Sequence, residues 1–218
     1  MGQSRNIKPK WTLVAYSLSL ALWAAWCPVG NKLSLPGLAV PFAVDGAVRA
    51  VVWLGPAVWF FLRKDEEWLL TPRTLFSLPF PWFPTLVGLC LTTAFLHTMH
   101  ILMSGIATWG VFQPIWIGMA LAAAIIEEFT FRGFLFNRQA HAYGTVKAAI
   151  FNGILFAIYH YPEFLIGQNL QAILSLRFWL IVVMGFIFST AFAKWKNLGM
   201  VIAIHFIWNM LCFWFALA

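Results

Sequence analysis

The sequence predicts an all-α integral membrane protein, a bundle of about seven transmembrane helices with the N-terminus in the cytoplasm. Of its 218 residues, 62% are hydrophobic and only 10% are charged, and the mean hydropathy is +0.82. A water-soluble domain carries about 25% charged residues. The apolar residues also fall into long runs, and a bilayer core of about 30 Å requires about 20 apolar residues of helix. Together these observations predict a polytopic helix bundle.

Seven apolar runs are the predicted spans. They lie near residues 11–29, 44–62, 82–103, 114–137, 147–160, 172–193 and 198–217. In the second run, Asp45 and Arg49 are four residues apart and are expected to neutralise each other on one helix face. After the fifth run, Glu163 is expected to be a solvated loop residue.

The loop charges predict the orientation of these spans. Lys and Arg lie before the first run and in the loops near 63–81, 138–147 and 194–197, whereas loops 104–113 and 161–171 contain none. Because cytoplasmic loops are enriched in Lys and Arg, this alternation places the N-terminus inside and the C-terminus outside. The chain is interpreted as a single membrane domain, 1–218.

The net charge of +7 does not indicate a nucleic-acid partner. The 14 Lys and Arg are scattered singly or in pairs between apolar runs. A nucleic-acid groove requires a basic stripe with interleaved aromatic residues. The expected partner is therefore the lipid bilayer.

A small set of polar residues lies inside the predicted spans, where each is costly enough to need a reason. These residues are Glu127, Glu128, Arg132, His160, His205 and Asn209. Counted at about 1.5 Å per residue from the cytoplasmic charges, the acidic, histidine and asparagine side chains lie roughly 14–20 Å deep. Convergence at one depth from three helices predicts one polar site near the middle of the membrane.

Helix geometry divides the two adjacent glutamates. Glu128 and Arg132 are four residues apart, so they are able to form an ion pair. Glu127 points about 100° away around the helix and is left without a cation. It is therefore expected to be the carboxylate that takes and gives protons.

This set of side chains predicts hydrolysis without a Ser or Cys nucleophile. A Glu and a His can hold and deprotonate a water, and a second His with an Asn amide can donate hydrogen bonds to an oxyanion. The alternative is a polar cluster that only joins helices. Asn152, two turns before His160, is expected either to contact substrate or to bond across helices.

The motifs resemble a known family. Glu127-Glu128-x-x-x-Arg132, Phe156-x-x-x-His160 and His205-x-x-x-Asn209 occur in the order found in the CAAX-protease and bacteriocin-processing (CPBP) family. That family includes the Ras-converting CAAX endopeptidase and many bacterial Abi-type proteins. The resemblance covers roughly 114–217 as a catalytic helix core, and 1–113 is interpreted as a family-variable set of N-terminal helices.

The resemblance implies an intramembrane endopeptidase that cleaves a membrane-associated protein tail or peptide, in maturation or leader processing. It implies that Glu127 and His160 activate the water and that His205 and Asn209 form the oxyanion site. Glu128 and Arg132 would brace the motif. The short loops and the lack of an organellar address favour a prokaryotic plasma membrane.

Two alternatives stay open at this point. Glu127, His160 and His205 also make a plausible zinc set. The sequence lacks the His-Glu-x-x-His helix in which two ligands lie one turn apart, so hydrolysis without a metal or other cofactor is favoured. The other alternative is a non-enzymatic immunity or scaffold protein that uses the same cluster structurally.

Overall fold

The computed structural model describes residues 9–33, 39–62, 68–76, 79–104, 111–167 and 176–215, and these residues form seven continuous helices. They are α1 (Pro9–Leu33), α2 (39–61, with a π-helical segment Ala50–Leu54), α3 (Trp82–Ser104), α4 (115–143, with a π-helical segment Phe129–Phe136), α5 (Thr145–Gly167), α6 (Leu176–Trp195) and α7 (Leu198–Trp214). A 3₁₀ turn, Pro72–Thr74, lies between α2 and α3. The predicted all-α architecture is confirmed.

Four helices in the described part of the chain are long and apolar enough to cross a membrane. They contain Thr12–Gly30, Val44–Phe61, Trp82–Leu102 and Phe178–Trp195, and Leu198–Trp214 is a shorter apolar helix. The chain is therefore an integral membrane helix bundle. Its orientation, with the N-terminus inside, stays a prediction.

Helices α5 and α6 pack with their backbones in contact. A Cβ atom placed on Gly153 would lie 2.6 Å from the Val182 carbonyl oxygen, and one placed on Gly185 would lie 2.7 Å from the Gly153 Cα. Without a strong hydrophobic force between helices in lipid, small residues allow the close approach that helix packing requires. This contact brings α5 and α6 together behind the π-helical segment of α4.

Aromatic rings enclose that π-helical segment. Phe131 is fully buried, and its ring lies edge-on to Trp53 at 5.7 Å, to Phe156 at 5.0 Å and to Tyr159 at 5.2 Å between centroids. Edge-to-face pairs of this kind add to the stability gained from burial. The rings fix the part of α4 that follows Glu128.

The end of α5 differs from the prediction. The helix continues through Pro162 to Gly167, so Glu163 is a helical residue and its prediction as a solvated loop residue is wrong. Membrane helices tolerate Pro where neighbouring groups satisfy the freed backbone. Glu163 also gains an ion pair with Arg49, at 2.6 Å, that sequence spacing does not reveal. The predicted start of the sixth span, at 172, lies outside the described residues.

Candidate active site

Three helices bring Glu127, His160 and His205 together. Glu127 Oε2 lies 3.7 Å from His160 Nε2 and 3.5 Å from His205 Nε2. Glu127 is 3% exposed and His205 is 4% exposed, while His160 is half-buried. The carboxylate therefore faces both imidazole rings within a space that is largely closed to the surroundings.

The hydrogen bonds on the far side of each ring fix which nitrogen carries the proton. His160 Nδ1 lies 2.8 Å from the Phe156 carbonyl oxygen, and His205 Nδ1 lies 2.6 Å from Glu128 Oε1. Both partners are acceptors, so each Nδ1 is the donor. In a ring that carries only this one proton, the Nε2 lone pair faces Glu127 Oε2. Three acceptors meeting at one place favour a hydrogen-bond donor between them, and a water molecule has that property.

The ion pair expected from the spacing of Glu128 and Arg132 is present. Arg132 Nη1 donates to Glu128 Oε1 over 2.9 Å, and neither side chain is exposed. Arg132 Nη2 also donates to the Gly185 carbonyl oxygen over 3.3 Å, and its guanidinium lies 4.4 Å from the Phe156 ring centroid. Glu128 thus links Arg132 to His205, and Phe156 packs against Arg132 as well as His160.

The expectation that Glu127 is left without a cation is wrong. Arg49 Nη1 of α2 donates to Glu127 Oε1 over 3.1 Å, although the two residues are 78 positions apart. Arg49 Nη2 lies 3.9 Å from Oδ2 of Asp45, its expected partner, but 2.6 Å from Oε1 of Glu163. Spacing along a helix identified the nearest carboxylate in sequence, whereas tertiary packing supplies two closer ones. The available signal was the cost of an arginine inside a span, which marks a functional candidate by default.

Two asparagines were also candidates. Asn209 lies one turn beyond His205 on α7 and is half-buried, and no other residue in the described ranges hydrogen bonds to its amide. Asn152 is fully buried, donates to the Phe131 carbonyl over 2.9 Å and accepts from Ser189 Oγ over 3.1 Å. Of the two alternatives for Asn152, these contacts are those of a residue that bonds across helices, and both ends of its amide are already used.

The zinc alternative concerns the same three residues. Two His nitrogens and one carboxylate are a known catalytic ligand set. Among the described residues, however, no group of three or more His, Cys, Asp and Glu side chains is arranged to hold a metal ion. The guanidinium of Arg49 also occupies one oxygen of Glu127 and would repel a dication there.

About half of the chain matches one known protein family. Residues 108–211 match the family model described as Rce1-like, type II CAAX prenyl endopeptidase. Neither a search of curated proteins nor a search of solved structures finds a match. The matched segment contains every motif residue from Glu127 to Asn209 and leaves out Arg49. The resemblance to CAAX proteases is thereby confirmed over residues 108–211, and the match supports an intramembrane endopeptidase of the CAAX type in general.

Proposed function

We propose that this protein hydrolyses a peptide bond near the end of a membrane-associated protein tail, using a water activated by Glu127 and His160 and no metal ion. The observation that carries the proposal is the convergence of Glu127 Oε2 with the two Nε2 atoms, at 3.5 and 3.7 Å. A water placed between them donates its hydrogens to the carboxylate and to an imidazole. Its oxygen lone pair is then available for attack.

In the proposed reaction, the water oxygen bonds to the scissile carbonyl carbon while its proton passes to Glu127. The tetrahedral intermediate then collapses, the carbon–nitrogen bond breaks, and the departing amine takes the proton from Glu127. Each proton taken up in the first step is returned in the second. The carboxylate therefore ends the cycle in its starting state.

His205 and Asn209 are proposed to stabilise the oxyanion of that intermediate. The side-chain amide of Asn209 does not titrate, so its NH₂ group is a donor whatever the protonation state of the neighbouring residues. His205 already donates Nδ1–H to Glu128, so its Nε2 donates only when the ring carries a second proton. Asn209 is thus the constant donor of the pair.

The proposed substrate is the tail of a prenylated protein. The family description names CAAX prenyl endopeptidases, which supports a lipid-anchored tail that reaches Glu127 from the membrane. A prokaryotic plasma membrane remains the proposed location.

The test uses purified, detergent-solubilised protein and quenched fluorescent peptides that end in a CAAX tetrapeptide, with and without a farnesyl group. Wild type is compared with Glu127→Ala and His160→Ala, each with and without a zinc chelator. General acid–base catalysis contributes roughly 10²- to 10⁴-fold, so we expect kcat to fall by about that factor in both variants. Elution as a monodisperse peak from size-exclusion chromatography controls for folding.

The outcomes separate the alternatives. Cleavage that survives the chelator but is lost in Glu127→Ala supports water activation by the carboxylate. Loss under the chelator, with recovery when zinc is restored, would assign the same residues to a metal. Full cleavage by both alanine variants would overturn the proposed roles.

A further inference from the structure

Arg49 stands at the meeting point of four helices beside the active site. Its guanidinium donates from Nη1 to Glu127 Oε1 on α4 over 3.1 Å and from Nη2 to Glu163 Oε1 on α5 over 2.6 Å. The same group lies 4.8 Å from the ring centroid of Trp23 on α1 and 5.0 Å from that of Trp53 on α2. A cation desolvated against aromatic faces is held more strongly than one in water.

The surroundings leave the guanidinium little freedom to move. Trp23 is 1% exposed and Trp53 is fully buried, so both rings are packed in place against the guanidinium. The ion pair with Glu163 anchors one end of the planar group, and Glu127 takes a hydrogen bond from the other. Because a guanidinium is planar and directs its donors in a fixed fork, its position determines the position of the carboxylate it contacts.

The consequence for Glu127 concerns which oxygen faces the histidines. The terminal torsion of a glutamate is broad and roughly twofold, so an unrestrained carboxylate rotates readily. With Oε1 held by Arg49, Oε2 is the oxygen that lies near His160 and His205. The hydrogen bond from Arg49 therefore selects the oxygen and the plane that meet the water.

We propose that Arg49 is a positioning residue for the proposed general base Glu127, and that Glu163 fixes Arg49 in turn. This inference rests on the proposed function. It adds to the catalytic apparatus a residue of α2 that lies outside the family-matched segment 108–211.

The competing role for Arg49 is to bind the terminal carboxylate of a substrate. Its charge environment argues against this role, because Asp45, Glu127 and Glu163 already surround the single guanidinium. An incoming anion would meet three carboxylates for one cation. The same environment suits a cation whose task is to hold a carboxylate already present.

The experiment measures kcat and KM for Arg49→Gln and Arg49→Lys on the CAAX peptide that wild type cleaves, with Glu127→Ala in parallel. Arg73→Gln is the matched control, because Arg73 is an exposed arginine in the 3₁₀ turn. Loss of a charge-assisted hydrogen bond predicts a fall in kcat of roughly 10- to 100-fold for Arg49→Gln, with KM nearly unchanged. Lysine keeps the charge without the fork, so we expect an intermediate kcat.

Two further variants distinguish positioning from general damage. Glu163→Gln should lower kcat in the same direction by a smaller factor, because it loosens Arg49 without removing it. Added methylguanidine should partly restore kcat to Arg49→Ala, which a merely misfolded variant does not allow.

The inference is overturned if Arg49→Gln raises KM and leaves kcat unchanged, which would assign Arg49 to substrate binding. It is also overturned if neither constant moves while Glu127→Ala is inactive. Activity in Glu127→Ala would instead overturn the proposed function itself.

Discussion

At the scale of single residues, the most consequential feature is the buried chain of contacts from Arg132 through Glu128 to His205. Glu128 Oε1 accepts from Arg132 Nη1 over 2.9 Å and from His205 Nδ1 over 2.6 Å. A buried charge that loses its partner costs far more than the pair contributes. The two adjacent glutamates therefore have different contacts. Glu128 accepts hydrogen bonds that hold Arg132 and His205 in place, whereas Oε2 of Glu127 faces the two histidines.

This difference predicts a stability contrast. Glu128→Gln leaves the Arg132 cation buried without its carboxylate, and we expect it to lower the free energy of unfolding by about 3–5 kcal/mol. Unfolding of the purified protein in detergent, followed by circular dichroism, measures the change.

A double variant supplies the control. Glu128→Gln with Arg132→Met removes both charges and should recover most of the lost stability, because no buried ion remains unpaired. Activity should stay low, since His205 has lost the carboxylate that orients its ring. A double variant as unstable as the single one would contradict this account.

Much of this residue-scale arrangement follows from the sequence. The Glu128–Arg132 pair depends only on helical spacing, and the grouping of Glu127, His160 and His205 follows from depth in the membrane. The Arg49–Glu127 contact joins residues 78 positions apart and depends on how α2 packs against α4. Spacing along one helix does not specify how two distant helices pack, so the sequence predicts that Arg49 pairs with Asp45 instead.

At the scale of elements, the two π-helical segments adjoin the candidate site. Ala50–Leu54 begins directly after Arg49, and Phe129–Phe136 begins directly after Glu128. Such segments are rare and occur frequently at functional sites. The length of the apolar runs predicts the helices but not these segments, because apolar residues surround a membrane span on all sides and give no clear repeat.

The α5–α6 contact gives the element-scale prediction. We expect Gly153→Ala to lower the free energy of unfolding by about 1–3 kcal/mol, because its Cβ would lie 2.6 Å from a backbone oxygen and push the helices apart. The separation should also weaken the Asn152–Ser189 hydrogen bond.

Gly118 is the matched control, since a Cβ atom there meets nothing within 4 Å. Gly118→Ala should be neutral or stabilise by up to about 1 kcal/mol, because alanine is the better helix former. Equal stability of the two alanine variants in thermal unfolding would contradict close α5–α6 packing.

At the scale of the whole molecule, the alternating loop charges predict an orientation. The Lys and Arg residues of the N-terminal segment and of every second loop are expected in the cytoplasm. Seven predicted spans place the C-terminus on the opposite side. Bilayer thickness sets the length of the apolar runs, which is why sequence alone predicts seven helices, the number that the described residues form.

Reporter fusions at the C-terminus test this orientation. An alkaline phosphatase fused after residue 218 should be active and a green fluorescent protein at the same point should be dark, because the two fold productively on opposite sides of a bacterial inner membrane. Fusions that end at Gly144, between α4 and α5, should give the reverse pattern. A fluorescent C-terminal fusion would overturn the predicted orientation.

The position of Arg49 also bears on how far this protein can be divided or recombined. The family-matched segment 108–211 contains the motif glutamates and histidines, yet the cation that holds Glu127 comes from α2. A chimera that joins this segment to foreign N-terminal helices would inherit the motifs without their counter-charge. We therefore expect such grafts to keep activity only when the donor helices present a guanidinium at the same depth, between two aromatic rings.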